Sequence, residues 1–536
     1  MKTTLSLFAL CMPIYLLYVQ FLWNPLVFDD DIIHLDGSAQ EQYLNIIFSF
    51  NLRWLPYATF EWTRSLLGSN ILWFRLGNLV FHLSVTITLF FFLRRLFSLV
   101  TPVSNEYRVN FCNNILAFFA ALLFAVHPAS VYAVGYLVQR STLMSTLFVL
   151  LTWCFFLEGI LKKNYNWLIA SALAYFLAVL SKEHAIMAPA VTVALLVLVD
   201  NSSVRERLKF LWPIYVLFFL IAGFVLFQKM NSHILGQAYE PLAANLMSLL
   251  GPDFNPDLAY PLSILTQCFL FFKYLAVWLV PSPAFMSVDM PQDFALNLWS
   301  WPEVLGLVGF IVYPIIAFRL LFKKGVNGLL GFALLCPWLL FATELTTVRI
   351  QESFVLYRSY LWMAGAFAAL PFLCQKLSAK QTVITLIFMV LFLMAVAWLR
   401  LTTFSHPLLL WDDAARLVEY KDKQPVGVDR IFYNRGNELM RVKHYTDAVK
   451  DFNKTIELKG NYAVNAYQNR GVVYFETGQY LLALNDFNTA IERLPNSSKP
   501  YFGKALTLEA LKNTAGAKIA YMQACLAGEF LACDKK

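Results

Sequence analysis

Three consecutive carboxylates, Asp29, Asp30 and Asp31, stand behind Phe28 at the end of the first long apolar run. A carboxylate can take the proton of an attacking hydroxyl, and like-charged neighbours push one partner's pKa up towards the range where it acts as a base. Such a triplet also offers hard oxygen ligands to a divalent cation, Mg or Mn. The structural alternative is an acidic helix cap at a membrane boundary. More polar groups lie in or beside apolar surroundings: Arg53, Glu61, Arg64, Arg75, Asn78, His82, His127, Arg140 and the run Lys182-Glu183-His184. Charges at such depths are costly and mark a cavity or pathway. Arg or Lys there can hold a lipid-linked phosphate. Their plainer roles are mutual neutralisation of Lys182 and Glu183, headgroup anchoring by Arg53 and Arg64, snorkelling by Arg140 and structural hydrogen bonds from His82 and His127. No zinc-type His or Cys spacing and no nucleotide-binding glycine pattern occurs.

The elements that must position these residues are membrane helices. The 536 residues are 59% hydrophobic and only 14% charged, values of a chain largely embedded in lipid. Apolar runs at the N-terminus and near 71–93, 114–134, 139–160, 166–181, 184–199, 208–228, 301–322, 327–344, 353–375 and 381–402 give about eleven crossings. The first is read as a retained span, since no small-residue cleavage site follows it. With the N-terminus cytoplasmic, short inside loops collect Arg94, Arg95, Arg108, Lys162, Lys163, Arg205, Arg207, Lys209, Arg319, Lys323, Lys324, Lys376 and Lys380, as the positive-inside rule requires. This register makes the run at 261–280 dip into the outer interface instead of crossing. Residues 25–70 and 229–300 become external loops, and everything after about 403 is external too. No basic and aromatic platform argues for nucleic acid.

Residues 1–403 form the membrane domain, 404–427 connect, and 428–536 have the composition of a soluble domain carrying an internal repeat. "YNRGNELMRVKHYTDAVKDFNKTIEL" from Tyr433 returns as "QNRGVVYFETGQYLLALNDFNTAIERLP" from Gln468, with a weaker third copy from Phe502. The period of about 34 residues and the paired amphipathic helices resemble tetratricopeptide repeats. Ala483 and Ala490 let helices approach, Phe452 and Phe487 fill the stack, and the array offers a surface for a protein partner. Six of the eight cysteines lie in or beside apolar runs; Cys525 and Cys533 are the pair that can bond.

The succession "FDDD", "WLPYATFEW", "WFRLGNLVFHL", "AALLFAVHPASVYAVGYLVQRSTLMSTLF", "LAVLSKEHAI", "PSPAFMSVDMP" and "LYRSYLW", followed by repeats, resembles the transmembrane and tetratricopeptide-repeat-containing O-mannosyltransferase-like family. That family belongs to the GT-C class of membrane glycosyltransferases, which use polyprenyl-phosphate sugars. The resemblance implies an all-α polytopic fold, a GT-C-type bundle with a C-terminal α-solenoid. It implies catalytic carboxylates at Asp29 and Asp30, and it matches His127, Arg140, Lys182, Glu183, Asp289 and Arg358 to recurrent polar positions. Ser130, Tyr132 and Tyr357 depart from the animal members, so mannose is not implied, and the short array looks more like bacterial relatives.

The resulting expectation is a glycosyltransferase of the bacterial inner membrane with periplasmic repeats. It would move a sugar from a polyprenyl-phosphate donor to a hydroxyl of an exported protein, such as a pilin, recruited by the repeats. Asp30 or Asp29 would act as base, Arg358, Arg140 and Lys182 would hold the phosphate, and Arg53, His127, Glu183 and Asp289 would support the site. The alternatives are a transferase acting on a lipid-linked glycan and a non-enzymatic scaffold or transporter.

Overall fold

The computed structural model describes residues 3–28, 30, 49–100, 106–200, 204–231, 236–238, 243–420 and 424–535, so Asp29 and Asp31 lie outside the described residues. Among the described residues there is no β-strand, only an isolated bridge between Ala238 and Val348. The membrane part comprises α1 (Thr3–Tyr18), α2 (Trp54–Leu67), α3 (Ile71–Val100), α4 (Glu106–Val126), α5 (Pro128–Val134), α6 (Arg140–Lys162), α7 (Tyr165–Ser181), α8 (Ala188–Val199), α9 (Val204–Asn231), α10 (Ala259–Leu279), α11 (Glu303–Phe322), α12 (Gly325–Phe341), α13 (Leu356–Ala366) and α14 (Ala379–Thr403).

Eight helices among the described residues are long and apolar enough to cross a membrane, or nine if the bent pair α4 and α5 counts as one span. The expected eleven is not reached, for a reason of length. Helix α7 has 17 residues and α8 has 12, about 25 and 18 Å of rise against a hydrocarbon core of about 30 Å. The run at 353–375 is broken into α13, a 3-10 turn and a five-residue helix. The bend of 61° between α4 and α5 falls where Pro128 starts a new helix, because a proline nitrogen has no proton to continue the old one.

Two poles emerge. Helices α3, α6, α7, α9 and α12 each link a basic end, marked by Arg95, Lys162, Arg207 and Lys324, to an end carrying Arg75, Arg140, Lys182, Lys229 and Glu344. At the basic pole Arg95 meets Glu158 at 2.9 Å and Arg207 meets Asp200 at 3.2 Å. Helix α10 passes the length test for a span, yet it follows a single strip of chain at the other pole. Ser263 donates to the Thr347 carbonyl, Gln267 to Ser353, Tyr274 to Val355 and Trp278 to Ser359 Oγ.

That pole also carries the repeats. Helix α15 (Pro407–Arg416) leads into three antiparallel pairs: α16 (Asp429–Arg441) with α17 (Tyr445–Glu457), α18 (Ala463–Glu476) with α19 (Tyr480–Arg493), and α20 (Ser498–Ala510) with α21 (Thr514–Leu526). Phe452 lies over Gly436 and Phe487 over Gly471, so close that a Cβ on either glycine would stand 2.8 or 3.0 Å from the ring. Arg435 pairs with Asp451 and Arg470 with Asp486, each at 2.8 Å. Cys525 and Cys533 are bonded.

Candidate functional site

The charged residues of the repeat-bearing pole come from segments far apart in sequence, and most fall into one connected network. Arg53 grips Glu183 with two bonds of 2.9 and 2.7 Å, and Lys229 reaches the same carboxylate at 3.1 Å. The neighbouring His184 contacts Glu344 at 3.1 Å, which Arg349 meets at 3.0 Å and Arg358 at 3.4 Å. Arg358 also holds Glu352 at 3.0 Å. Arg430, on the first repeat helix, shares Glu352 at 3.2 Å and pairs with Asp289 at 2.9 Å. Lys182 adds a further cation, donating to Thr142 at 2.7 Å and to Gln139 at 3.1 Å, its ammonium over the Tyr357 ring.

Among the described residues this makes six cations (Arg53, Lys182, Lys229, Arg349, Arg358, Arg430) against four carboxylates (Glu183, Asp289, Glu344, Glu352). Glu344 is 1% exposed, and a carboxylate so buried persists only when cations and donors surround it. At Glu352 burial pulls the carboxyl up, but Arg430 and Arg358 outweigh it and hold the group at about 2. Burial pushes the Asp289 carboxyl up against the opposing pull of Arg430. Its Oδ1 has no hydrogen-bond partner among the described residues. A cavity of about 70 Å³ opens beside the network, lined by Glu183, His184, Lys229, Arg349 and the hydroxyl residues Thr343, Thr346 and Thr347, with Val225 and Leu226 as apolar wall.

Asp30 adjoins this cluster without joining it. It is fully buried, accepting from the Val27 amide at 3.3 Å and the Val138 amide at 3.2 Å. Burial raises its carboxyl to about 7, with Arg75 and the backbone donors pulling the other way. Arg75 in turn ties down the carbonyls of Asn24, Pro25 and Gly135. The turn that supplies Val138 continues into Gln139, the partner of Lys182. Phe28 packs on Tyr136 and Trp411 and lies under Arg430. Asp30 thus ties its own backbone to the turn at 136–139, and Phe28 makes the contact with the repeats.

Of the residues singled out from sequence, Arg53, Lys182, Glu183, Asp289 and Arg358 come together here. Arg140 lies apart, between α2, α3 and α6, bonded to Asn78, Thr59 and the Phe74 carbonyl and stacked on Phe60 at 3.9 Å. His127 caps α5 by accepting from the Ala129 amide, and its Nε2 lies 3.0 Å from the Trp278 carbonyl. It joins the helix break to α10. Glu344, Arg349, Glu352 and Arg430 escape the sequence reading. Among the described residues no group of three or more His, Cys, Asp or Glu is arranged for a metal ion. The carboxylates of the network already receive arginine or lysine, a poor fit for a divalent cation, and no step is routed through one.

The family model for the tetratricopeptide repeat matches residues 464–496, which fall on α18 and α19. Among solved structures, "MamA RS-1 ArsTM double mutant" is similar at 22% identity with a TM-score of 0.20, over 23% of this chain and 64% of that one. The chain thus spans less than two thirds of that structure's length. The C-terminal segment contains tetratricopeptide repeats, modules that generally mediate protein–protein interaction.

Proposed function

We propose that this is a membrane glycosyltransferase of the GT-C type, moving a sugar from a polyprenyl-phosphate carrier to a hydroxyl of an exported protein. The observation that supports it is the buried network of arginines, lysines and carboxylates at the repeat-bearing pole, which adjoins Asp30. A phosphate seated in the cavity beside it would meet Lys229 and Arg349, while its polyprenyl chain stays in the lipid. In the reaction a carboxylate takes the acceptor's proton, the acceptor oxygen bonds to the anomeric carbon, and the bond from that carbon to the phosphate oxygen breaks. The carrier phosphate leaves with the electron pair, stabilised by the cations. Because both Asp30 oxygens are held by backbone amides, we assign the proton transfer to Asp29 and the positioning of its loop to Asp30. The repeats would raise the local concentration of the acceptor. Their attachment through Arg430 to Asp289 and Glu352 favours a recruiting role over an independent scaffold, and the Cys525–Cys533 bond suits an oxidising compartment such as the periplasm.

The test is binding of undecaprenyl phosphate to the purified full chain in vesicles. Lys229→Gln is expected to weaken it about tenfold, the worth of one charge-assisted contact. Failure of the wild-type protein to bind would remove the donor from this reading.

A further inference from the structure

At the opposite, basic pole lies a larger cavity of about 760 Å³ that the proposed reaction does not use. It is lined among others by Phe91, Phe92, Arg94, Arg95, Glu158 and Lys162. Glu158 is shared between Arg95 and Lys162, each at 2.9 Å. Lys162 also stands 4.7 Å from the Trp167 ring centre, so its position is fixed from two sides. Arg94 faces the cavity with no carboxylate partner among the described residues. Among the described residues three cations, Arg94, Arg95 and Lys162, line the cavity with one carboxylate, Glu158. Ser98 and Asn114 add neutral donors on the same wall.

We infer that this cavity binds a phosphate ester, the headgroup phosphate of an anionic phospholipid. Two observations select that chemistry over a general basic surface. The cations line a half-open cavity whose volume lies in the range of ligand pockets, about 300–1,000 Å³. Its other wall is apolar, with Phe91, Phe92 and Leu157, which suits the glycerol and upper acyl chains. Arg94 supplies the uncommitted guanidinium, a planar fork matched to phosphate oxygens. Arg95 and Lys162 hold the rim through Glu158.

The experiment is native mass spectrometry of the detergent-purified full chain with dioleoyl phosphatidylglycerol or dioleoyl phosphatidylcholine added. Wild-type protein should retain the anionic lipid at least about tenfold better, and Arg94→Gln should lose about tenfold of that retention. Arg94→Lys should keep part of it. A double variant at exposed basic residues of the same pole, Lys376→Gln with Lys380→Gln, should leave it unchanged. Equal retention of the two lipids, or an equal loss in the Lys376 and Lys380 variant, would overturn the site. Competition with inorganic phosphate separates the sources: no displacement supports the lipid, whereas full displacement overturns the lipid assignment in favour of the free anion.

Discussion

Arginine–carboxylate pairs hold together both halves of this molecule, and they are built in opposite ways. In the repeats each pair is local and periodic: Arg435 with Asp451, then Arg470 with Asp486, always 16 residues apart across one helix hairpin. In the membrane part each carboxylate is shared among several cations, some near in sequence and some far. Glu344 serves His184, Arg349 and Arg358, and Glu352 serves Arg358 and Arg430. Each repeat pair fixes the two helices of a hairpin, and Arg435 also meets Asp412 at 3.2 Å and Glu419 at 3.5 Å. The shared set gathers cations from distant segments of the chain beside a small cavity, which is why we place function there and recruitment in the repeats.

The widest separation between the halves should appear in activity. Asp29→Asn should reduce transfer by about 10²–10⁴-fold without lowering the melting temperature, as seen by glycan analysis beside thermal unfolding of the same preparation. Next comes stability. Glu344→Gln strips a buried carboxylate from its cations and should cost about 3–5 kcal/mol. Asp486→Asn, in a partly buried pair, should cost about 1 kcal/mol, with faster hydrogen exchange confined to the repeats. Equal losses would erase the distinction. The junction is intermediate: Arg430→Gln should loosen α16 by about 2 kcal/mol, read as faster exchange over 429–441 while α18 to α21 stay protected.

A pH-dependent effect concerns Asp30. Its carboxyl, raised by burial to about 7, keeps a proton that the unfolded chain loses near pH 4. The associated stability is complete below about pH 4 and is lost as pH rises towards 7. Asp30→Asn cannot ionise, so its melting temperature should vary less between pH 5 and pH 8 than that of the wild type. Parallel slopes would contradict the buried placement.

The repeat half is the more legible in sequence because its contacts are local. The returning Asn-Arg-Gly and Asp-Phe elements mark the glycine, the phenylalanine above it and the ion pair in each of the first two copies. The Cys525–Cys533 bond follows from nearness in sequence. In the membrane half Lys182, Glu183 and Arg53 are visible as charges in apolar surroundings, but the partner of Arg53 lies 130 residues away. Glu344, Arg349 and Glu352 did leave a signal: with Arg358 they put four charges into residues 344–358 of a chain with only 14% charged residues. Arg430 left none. It sits in ordinary soluble sequence, and only the folding of the repeats onto the membrane part brings it to Asp289. The span count went astray at α7, α8 and α13 because hydropathy records apolar length but not the breaks at Lys182 and after Ala366.

The most direct measurement is comparative glycoproteomic and glycolipid profiling of cells carrying the wild-type gene, a deletion, or Asp29→Asn at matched expression. The account predicts one glycan lost from an exported protein in both the deletion and the variant, with the variant protein present and folded. Unchanged protein and lipid glycans in all three would contradict it.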